Sequence, residues 1–225
     1  MKVTVDQLTK LEVRRDRAEH FADAINAALR RYEIDTPLRV CHWLAQVLHE
    51  SGRLRYVEEI ASGAAYEGRR DLGNTQPGDG RRFKGRGLIQ LTGRANYTRY
   101  AQHAGIASPE TLAERLKTDV FLQVDVAGWY WAQRRINRLA DADDLLGVTK
   151  AVNGGYNGLN DRAHLLALAR PIIKEEPAPP AGERVDVPDR LQPLPLDDLG
   201  DLGDLTPPVV LPDPPEPGPQ PPPAP

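Results

Sequence analysis

A chain of 225 residues with 29 Lys and Arg against 32 Asp and Glu, a net charge of −3, has room for one or two domains. Its single cysteine, Cys41, excludes an intramolecular disulfide framework and any multi-cysteine metal site. No stretch approaches the roughly 18 apolar residues of a membrane helix, and the N-terminus lacks the apolar core of a signal peptide. The chain is therefore expected to be made as a soluble cytoplasmic product without membrane insertion. If it acts outside, a holin or a secretion machine must release it.

Helical periodicity dominates the first 170 residues. Leu8, Leu11, Ala18, Phe21, Ile25 and Leu29 recur mostly at three- and four-residue steps and predict one or two amphipathic helices. "DTPLRVCHWLAQVLHESG" reads as a whole helix. Thr36 caps it, Pro37 suits its first turn, Leu38, Cys41, Leu44, Ala45 and Leu48 line one face, and Gly52 stops it. Residues 61–97 are glycine-rich and polar, with a dense turn cluster at "GNTQPGDG", and predict a long irregular segment. Short strands are expected only near Phe83 and Leu88–Leu91. Ser108-Pro109 opens a helix to about Leu116, and Asp119 starts another rich in large residues: Phe121, Val124, Trp129, Tyr130, Trp131 and Ile136. A last helix follows "VNGGYNG", from about Asn160 to Ala169.

Beyond this the composition changes. From Lys174 on the chain holds 17 of the 21 prolines, no aromatic residue, and three cations against eleven acids, a net of −8. Residues 1–173 therefore carry about +5. The expected organisation is one folded basic domain over 1–173 and an acidic, Pro-rich, disordered tail over 174–225, because such a composition cannot bury enough apolar surface to offset its ordering entropy. The run "LDDLGDLGDL" within it is a solvated spacer or a tether to an unidentified partner.

Candidate chemistry gathers where the Thr36–Gly52 helix ends. It delivers His49 and Glu50 at its carbonyl end, whose partial negative charge is expected to raise a carboxyl pKa as a general acid requires. Nine residues on lie Glu58 and Glu59. Two carboxyls facing each other across a groove are the arrangement that cleaves a glycosidic bond, although glutamates ending helices are common and the pattern alone does not single out catalysis. No metal or cofactor is expected: HExxH is absent, the five histidines are scattered, "GRGLIQLTG" lacks a phosphate-loop ending, and Cys41 lies on an apolar helix face.

"HES", Glu59 nine residues later, "FKGRGLIQLTGRANY", "VNGGYNG" and "DR" together resemble glycoside hydrolase family 19. This is the chitinase family, whose bacterial and phage branch includes endolysins that cut peptidoglycan. The resemblance covers most of residues 1–172. It implies a mainly α, α+β, lysozyme-like fold with helices around a cleft and a small strand region. It also implies an inverting mechanism with Glu50 as general acid, Glu59 as general base and Thr92 as the hydroxyl that positions water. Gln90, Asn96 and Asn153 match sugar-binding amides, Arg162 a supporting arginine, and His49 a histidine beside the acid. Departures are Arg53 where many relatives have a second glycine, Ala95 where plant members have tyrosine, and the absence of plant-type disulfides.

The long motif has a physical logic of its own. Gly85, Gly87 and Gly93 permit close backbone approach, and amides that both donate and accept suit sugar hydroxyls and N-acetyl groups. Gln90 and Thr92, alternating along an extended segment, would share one face with Leu91 behind. Tyr97 is either packing or site wall, and Arg86 either an internal ion pair or a substrate contact. The expected function is hydrolysis of β-1,4 bonds between N-acetylated amino sugars. Peptidoglycan is preferred because a basic body is drawn to an anionic wall. Chitin and a non-catalytic glycan-binding module are the alternatives. Interleaved amides and glycines argue against nucleic acid, and nothing in the sequence demands more than a monomer.

Overall fold

The computed structural model describes residues 1–174, so the expected tail lies outside the described residues apart from Lys174. Among the described residues ten α-helices follow one another: α1 Val5–Lys10, α2 Arg15–Arg31, α3 Pro37–Glu50, α4 Asp79–Arg82, α5 Arg94–His103, α6 Pro109–Arg115, α7 Val120–Gln133, α8 Asn137–Asp141, α9 Leu145–Asn153 and α10 Leu159–Ile172. This is the mainly helical, lysozyme-like body expected, and no described helix is long and apolar enough to cross a membrane.

Two helices form the centre, and each follows from its sequence. In α3 the Thr36 hydroxyl accepts from the Arg39 N–H at 3.2 Å, Pro37 occupies the first turn, and every residue from Val40 to His49 is buried. In α7 Asp119 caps the Leu122 N–H at 3.2 Å, and Leu122 to Trp131 are all buried. A helix apolar on every side has to sit inside. Around these two, Phe21, Ile25 and Leu29 of α2, Trp43 of α3, Tyr100 of α5 and Trp129 of α7 form one core. Each large apolar side chain buried there contributes about 1.5–3 kcal/mol.

The structure corrects several boundaries. The segment 61–97 is not irregular throughout. It contains α4 and two short 3-10 turns, and its last four residues open α5, so Asn96 and Tyr97 lie on a helix. α9 was not anticipated, and Ile136 belongs to the start of α8 rather than to α7. The strand region is reduced to single-residue antiparallel bridges, Glu58 with Arg86 and Arg86 with Leu91. Gly87 and Gln90 both take positive φ, +79° and +58°, which turns the chain before a ladder can extend.

Buried ionisable groups predict how stability depends on pH. Burial pushes His42 and His103 below the ordinary imidazole value, partly opposed at His42 by Asp143 and reinforced at His103 by Arg31. Arg94 holds Asp79, and Arg170 and His42 hold Asp143, below the usual carboxylate range. A depressed folded-state pKa means that the unfolded chain binds the proton more readily. Each contribution is therefore whole above the unfolded value and lost as pH falls through the folded one. Thermal melts should be level near pH 7–8, then drop first below about 6.5 as the histidines titrate and again below about 4. A melting temperature unchanged between pH 7 and pH 5 would refute the histidine assignment.

Candidate active site

Glu50 is the last residue of α3, and the backbone reverses at once behind it. Gly52, Arg53 and Leu54 all lie in the left-handed region, with φ of +56°, +60° and +62°. For Arg53 and Leu54 this costs roughly 1–2 kcal/mol each, and surrounding bonds hold it in place. The Arg53 N–H reaches the Leu48 carbonyl at 2.7 Å, the Leu54 N–H reaches Ser51 Oγ at 2.9 Å, and the Leu54 side chain is fully buried. The reversal returns the chain so that Val57–Glu59 run beside Gly85–Gly87, with the Glu59 N–H on the Gly85 carbonyl at 2.9 Å and the Gly87 N–H on the Val57 carbonyl at 2.9 Å.

The two candidate carboxyls are held by different kinds of partner. Glu50 Oε1 accepts from Arg162 Nη2 at 2.5 Å, and Arg162 is itself fully buried, giving its Nη1 to Gln46 Oε1 at 2.5 Å and its Nε to the Asn157 carbonyl at 3.2 Å. Gln46 lies one turn before Glu50 on α3, so one guanidinium spans both residues. Glu59 is buried and meets neutral donors: Tyr66 Oη gives a hydrogen bond to Oε1 at 2.9 Å, and the Gly85 N–H gives one to Oε2 at 3.2 Å. Burial first, and then the Glu59 charge, push the Tyr66 phenol up, so it stays a donor.

Glu58 has another position. Its carboxylate pairs with Lys84 and Arg86, each at 3.1 Å. Burial works to raise its pKa, but the two cations outweigh burial and hold it below the ordinary value. A carboxylate so engaged is a poor proton acceptor, which favours Glu59. The other cations of the long motif are also used internally. Arg86 is buried against the Arg82 carbonyl and Tyr97 Oη, and Arg94 pairs with Asp79 and Glu110.

Gly85 is the hinge of the Glu59 side. A Cβ there would lie 2.6 Å from Gln90 Oε1 and 3.4 Å from Thr92 Oγ1, so both side chains crowd the residue whose N–H holds Glu59. Gln90 and Thr92 do face one point, but through a left-handed turn at Gln90 rather than an extended segment, with Thr92 Oγ1 donating to the Gln90 carbonyl at 2.7 Å. Gln90 Nε2 donates to the Gly87 carbonyl at 3.1 Å and Asn96 Nδ2 to the Thr92 carbonyl at 2.9 Å. These bonds fix both amides with their oxygens turned away. Gln90 Oε1, Asn96 Oδ1 and, at the end of α9, Asn153 Oδ1 are buried with no hydrogen-bond partner among the described residues. Leaving such acceptors unpaired costs about 1–3 kcal/mol each.

The two halves of the site meet on α7. Gly87 abuts Val126, where a Cβ would lie 2.5 Å from Val126 Cγ1, and one turn on, Tyr130 Oη donates to the Val152 carbonyl at 3.2 Å and lies within the field of Glu50. The Gly87–Gln90 turn thus sits beside one turn of α7, and Tyr130, on the Val152 carbonyl and in the field of Glu50, stands one turn on.

Two expected substrate contacts are placed elsewhere. Tyr97 is fully buried behind the motif, against Phe83, with its hydroxyl on the Lys84 carbonyl at 2.8 Å. It shapes the loop and does not face a ligand. His49 Nδ1 bonds Asp161 at 2.7 Å, and its ring packs against Gly158, where a Cβ would come within 2.2 Å of Nε2. Burial would raise the pKa of Asp161, but His49 and Arg53 hold it well below the usual carboxylate range. His49–Asp161 and Glu50–Arg162 are therefore adjacent clamps joining α3 to α10. Sequence reading passed over Tyr66, Gln46, Asp161 and the half-exposed Tyr156, three residues beyond Asn153.

A mainly helical body that holds one carboxyl on a buried arginine and a second on neutral donors is the lysozyme-like fold expected from the sequence. No family model matches the chain. A protein of Haemophilus influenzae described as "Glycosyl hydrolase family 19 domain-containing protein" is 36% identical over 108 residues, 48% of this chain and 50% of that protein. The chain thus spans about half the length of the curated relative it matches. Among solved structures, a chitinase C mutant superposes with a TM-score of 0.62 at 19% identity over 76% of each chain. A family 19, class IV chitinase from Zea mays gives 0.56 at 22% identity over 70% of this chain and 83% of that one. The resemblance to glycoside hydrolase family 19 read from the motifs is shared by sequence over about half the chain and by fold over about three quarters of it.

Proposed function

We propose that residues 1–173 form a hydrolase of β-1,4 bonds between N-acetylated amino sugars, acting on peptidoglycan by inversion. Glu50 donates its proton from Oε2, which takes no hydrogen bond from the described residues, to the glycosidic oxygen. Arg162 on Oε1 stabilises the carboxylate that forms. Glu59 takes a proton from a water held between it and Thr92, and that water attacks the anomeric carbon from the opposite face. The observation that carries this reading is the different hold on the two carboxyls, Glu50 on the buried Arg162 and Glu59 on the Tyr66 hydroxyl and the Gly85 N–H.

Peptidoglycan is preferred because the body is basic and wall glycans carry carboxylates and phosphates. Release to the wall by a separate route belongs to the same proposal. Chitin is the second reading, favoured by the chitinase names of the similar structures. Mass spectrometry of digested sacculi tests the proposal. It should find intact reducing-end amino sugars, with release faster than from soluble chitin oligomers. Anhydro-sugar ends would replace hydrolysis by transglycosylation, and faster cleavage of chitin oligomers would replace the substrate.

A further inference from the structure

Beside the reversal that follows Glu50 lies a concavity of about 300 Å³, between the start of α2 and the left-handed turn. Its lining is charged: Glu12, Arg14, Asp16, Arg17, Arg53 and Arg55, with Gly52 at its base. Both acids are already matched. Asp16 holds Arg14 at 2.8 Å, and Glu12 holds Arg53 at 3.0 Å and His164 at 2.9 Å. Arg17 and Arg55 have no acidic partner among the described residues. Arg17 gives only its Nε to the Leu54 carbonyl at 2.8 Å and stacks on Phe21, while Arg55 lies over the Tyr56 ring. The concavity therefore carries two uncompensated guanidinium groups. The first turn of α2 borders it with no side-chain cap on its N–H groups, which adds partial positive charge.

We propose that this concavity is a carboxylate-binding subsite that takes the peptide stem of a wall glycan lying in the site. The inference rests on the peptidoglycan reading. Guanidinium groups present planar paired donors that match carboxylates. The volume is at the small end for a ligand cleft, sized for a short peptide and not for a second polysaccharide strand. Position agrees: Gly52 and Arg53 are two and three residues beyond Glu50, and Arg53 bonds Asp161, next to the Arg162 that holds Glu50. Chitin carries no carboxylate, so the subsite separates the two substrates.

The test uses the full chain with two readouts. First, a soluble stem peptide with free carboxylates is titrated against wild type, Arg55→Gln and Arg17→Lys by calorimetry, beside the same peptide fully amidated. Second, kcat/KM is measured on glycan strands with stems and on strands stripped of stems by an amidase, which keep only the short lactyl carboxylate on the sugar. Wild type should bind only the acidic peptide and prefer stem-bearing strands by about tenfold, the size of one charge-assisted pair. Arg55→Gln should abolish most of both effects while leaving the rate on stripped strands unchanged, and Arg17→Lys should weaken them. Equal rates on the two substrates, binding of the amidated peptide, or equal losses on both strands would overturn the subsite. Peptide binding without cleavage of any strand would keep the subsite and remove the hydrolase. Cleavage of stripped strands without peptide binding would do the reverse.

Discussion

Glu50→Gln should lower the rate on purified sacculi by about 10²–10⁴-fold, the range for losing a general acid. The amide keeps the volume and still offers an oxygen to Arg162 Nη2, so the α3–α10 clamp survives as a hydrogen bond. What it loses is the transferable proton and, once that proton has left, the anion that Arg162 stabilises. Arg162, fully buried, is left with the neutral Gln46 oxygen and the Asn157 carbonyl, so a moderate fall in melting temperature should accompany the loss. Activity measured well below that temperature separates the two effects. A folded Glu50→Gln protein with wild-type turnover would remove Glu50 from the chemistry.

The second large effect distinguishes neighbours. Glu59→Gln should cost about 10²-fold or more, because the amide cannot take a proton from water. Tyr66 and the Gly85 N–H would then face a group that accepts only on one side, so local order changes little. Glu58→Gln should leave turnover within a few-fold of wild type. It removes the anionic partner of Lys84 and of the buried Arg86, and should cost stability on the order of 1–2 kcal/mol, a figure lowered by the one-third exposure of Glu58. Steady-state rates and thermal melts on the pair check this directly. Loss of turnover in Glu58→Gln with a normal melt would exchange the two roles.

What the sequence made legible follows the range of the forces involved. α3 was readable in full because its cap, its first-turn proline, its apolar spacing and its stop are all local, and Glu50 was placed at its end for the same reason. α9 had a local signal too, Asp144 as cap ahead of Leu145, Val148 and Val152, but the glycines of "VNGGYNG" drew the reading toward a loop. α5 starts on Gly93 without a side-chain cap, inside a motif dense in glycine, so its helix was hidden. Left-handed Arg53 and Leu54 carry no residue-type mark at all. In the site, Gln90, Asn96 and Asn153 came from the family resemblance, and their buried, unpartnered oxygens were found only in three dimensions. The Arg162–Gln46 and Arg162–Glu50 bonds join residues 116 and 112 positions apart, which spacing arguments cannot reach.

Inversion at a β-linked amino sugar is the claim on which Glu50 and Glu59 both depend, and the anomer first released reports it. Time-resolved proton NMR on a short β-1,4 N-acetylglucosamine oligomer or a soluble glycan strand should show the new reducing end appearing as the α-anomer before mutarotation. A first product in the β-configuration would contradict the single displacement by a water activated at Glu59.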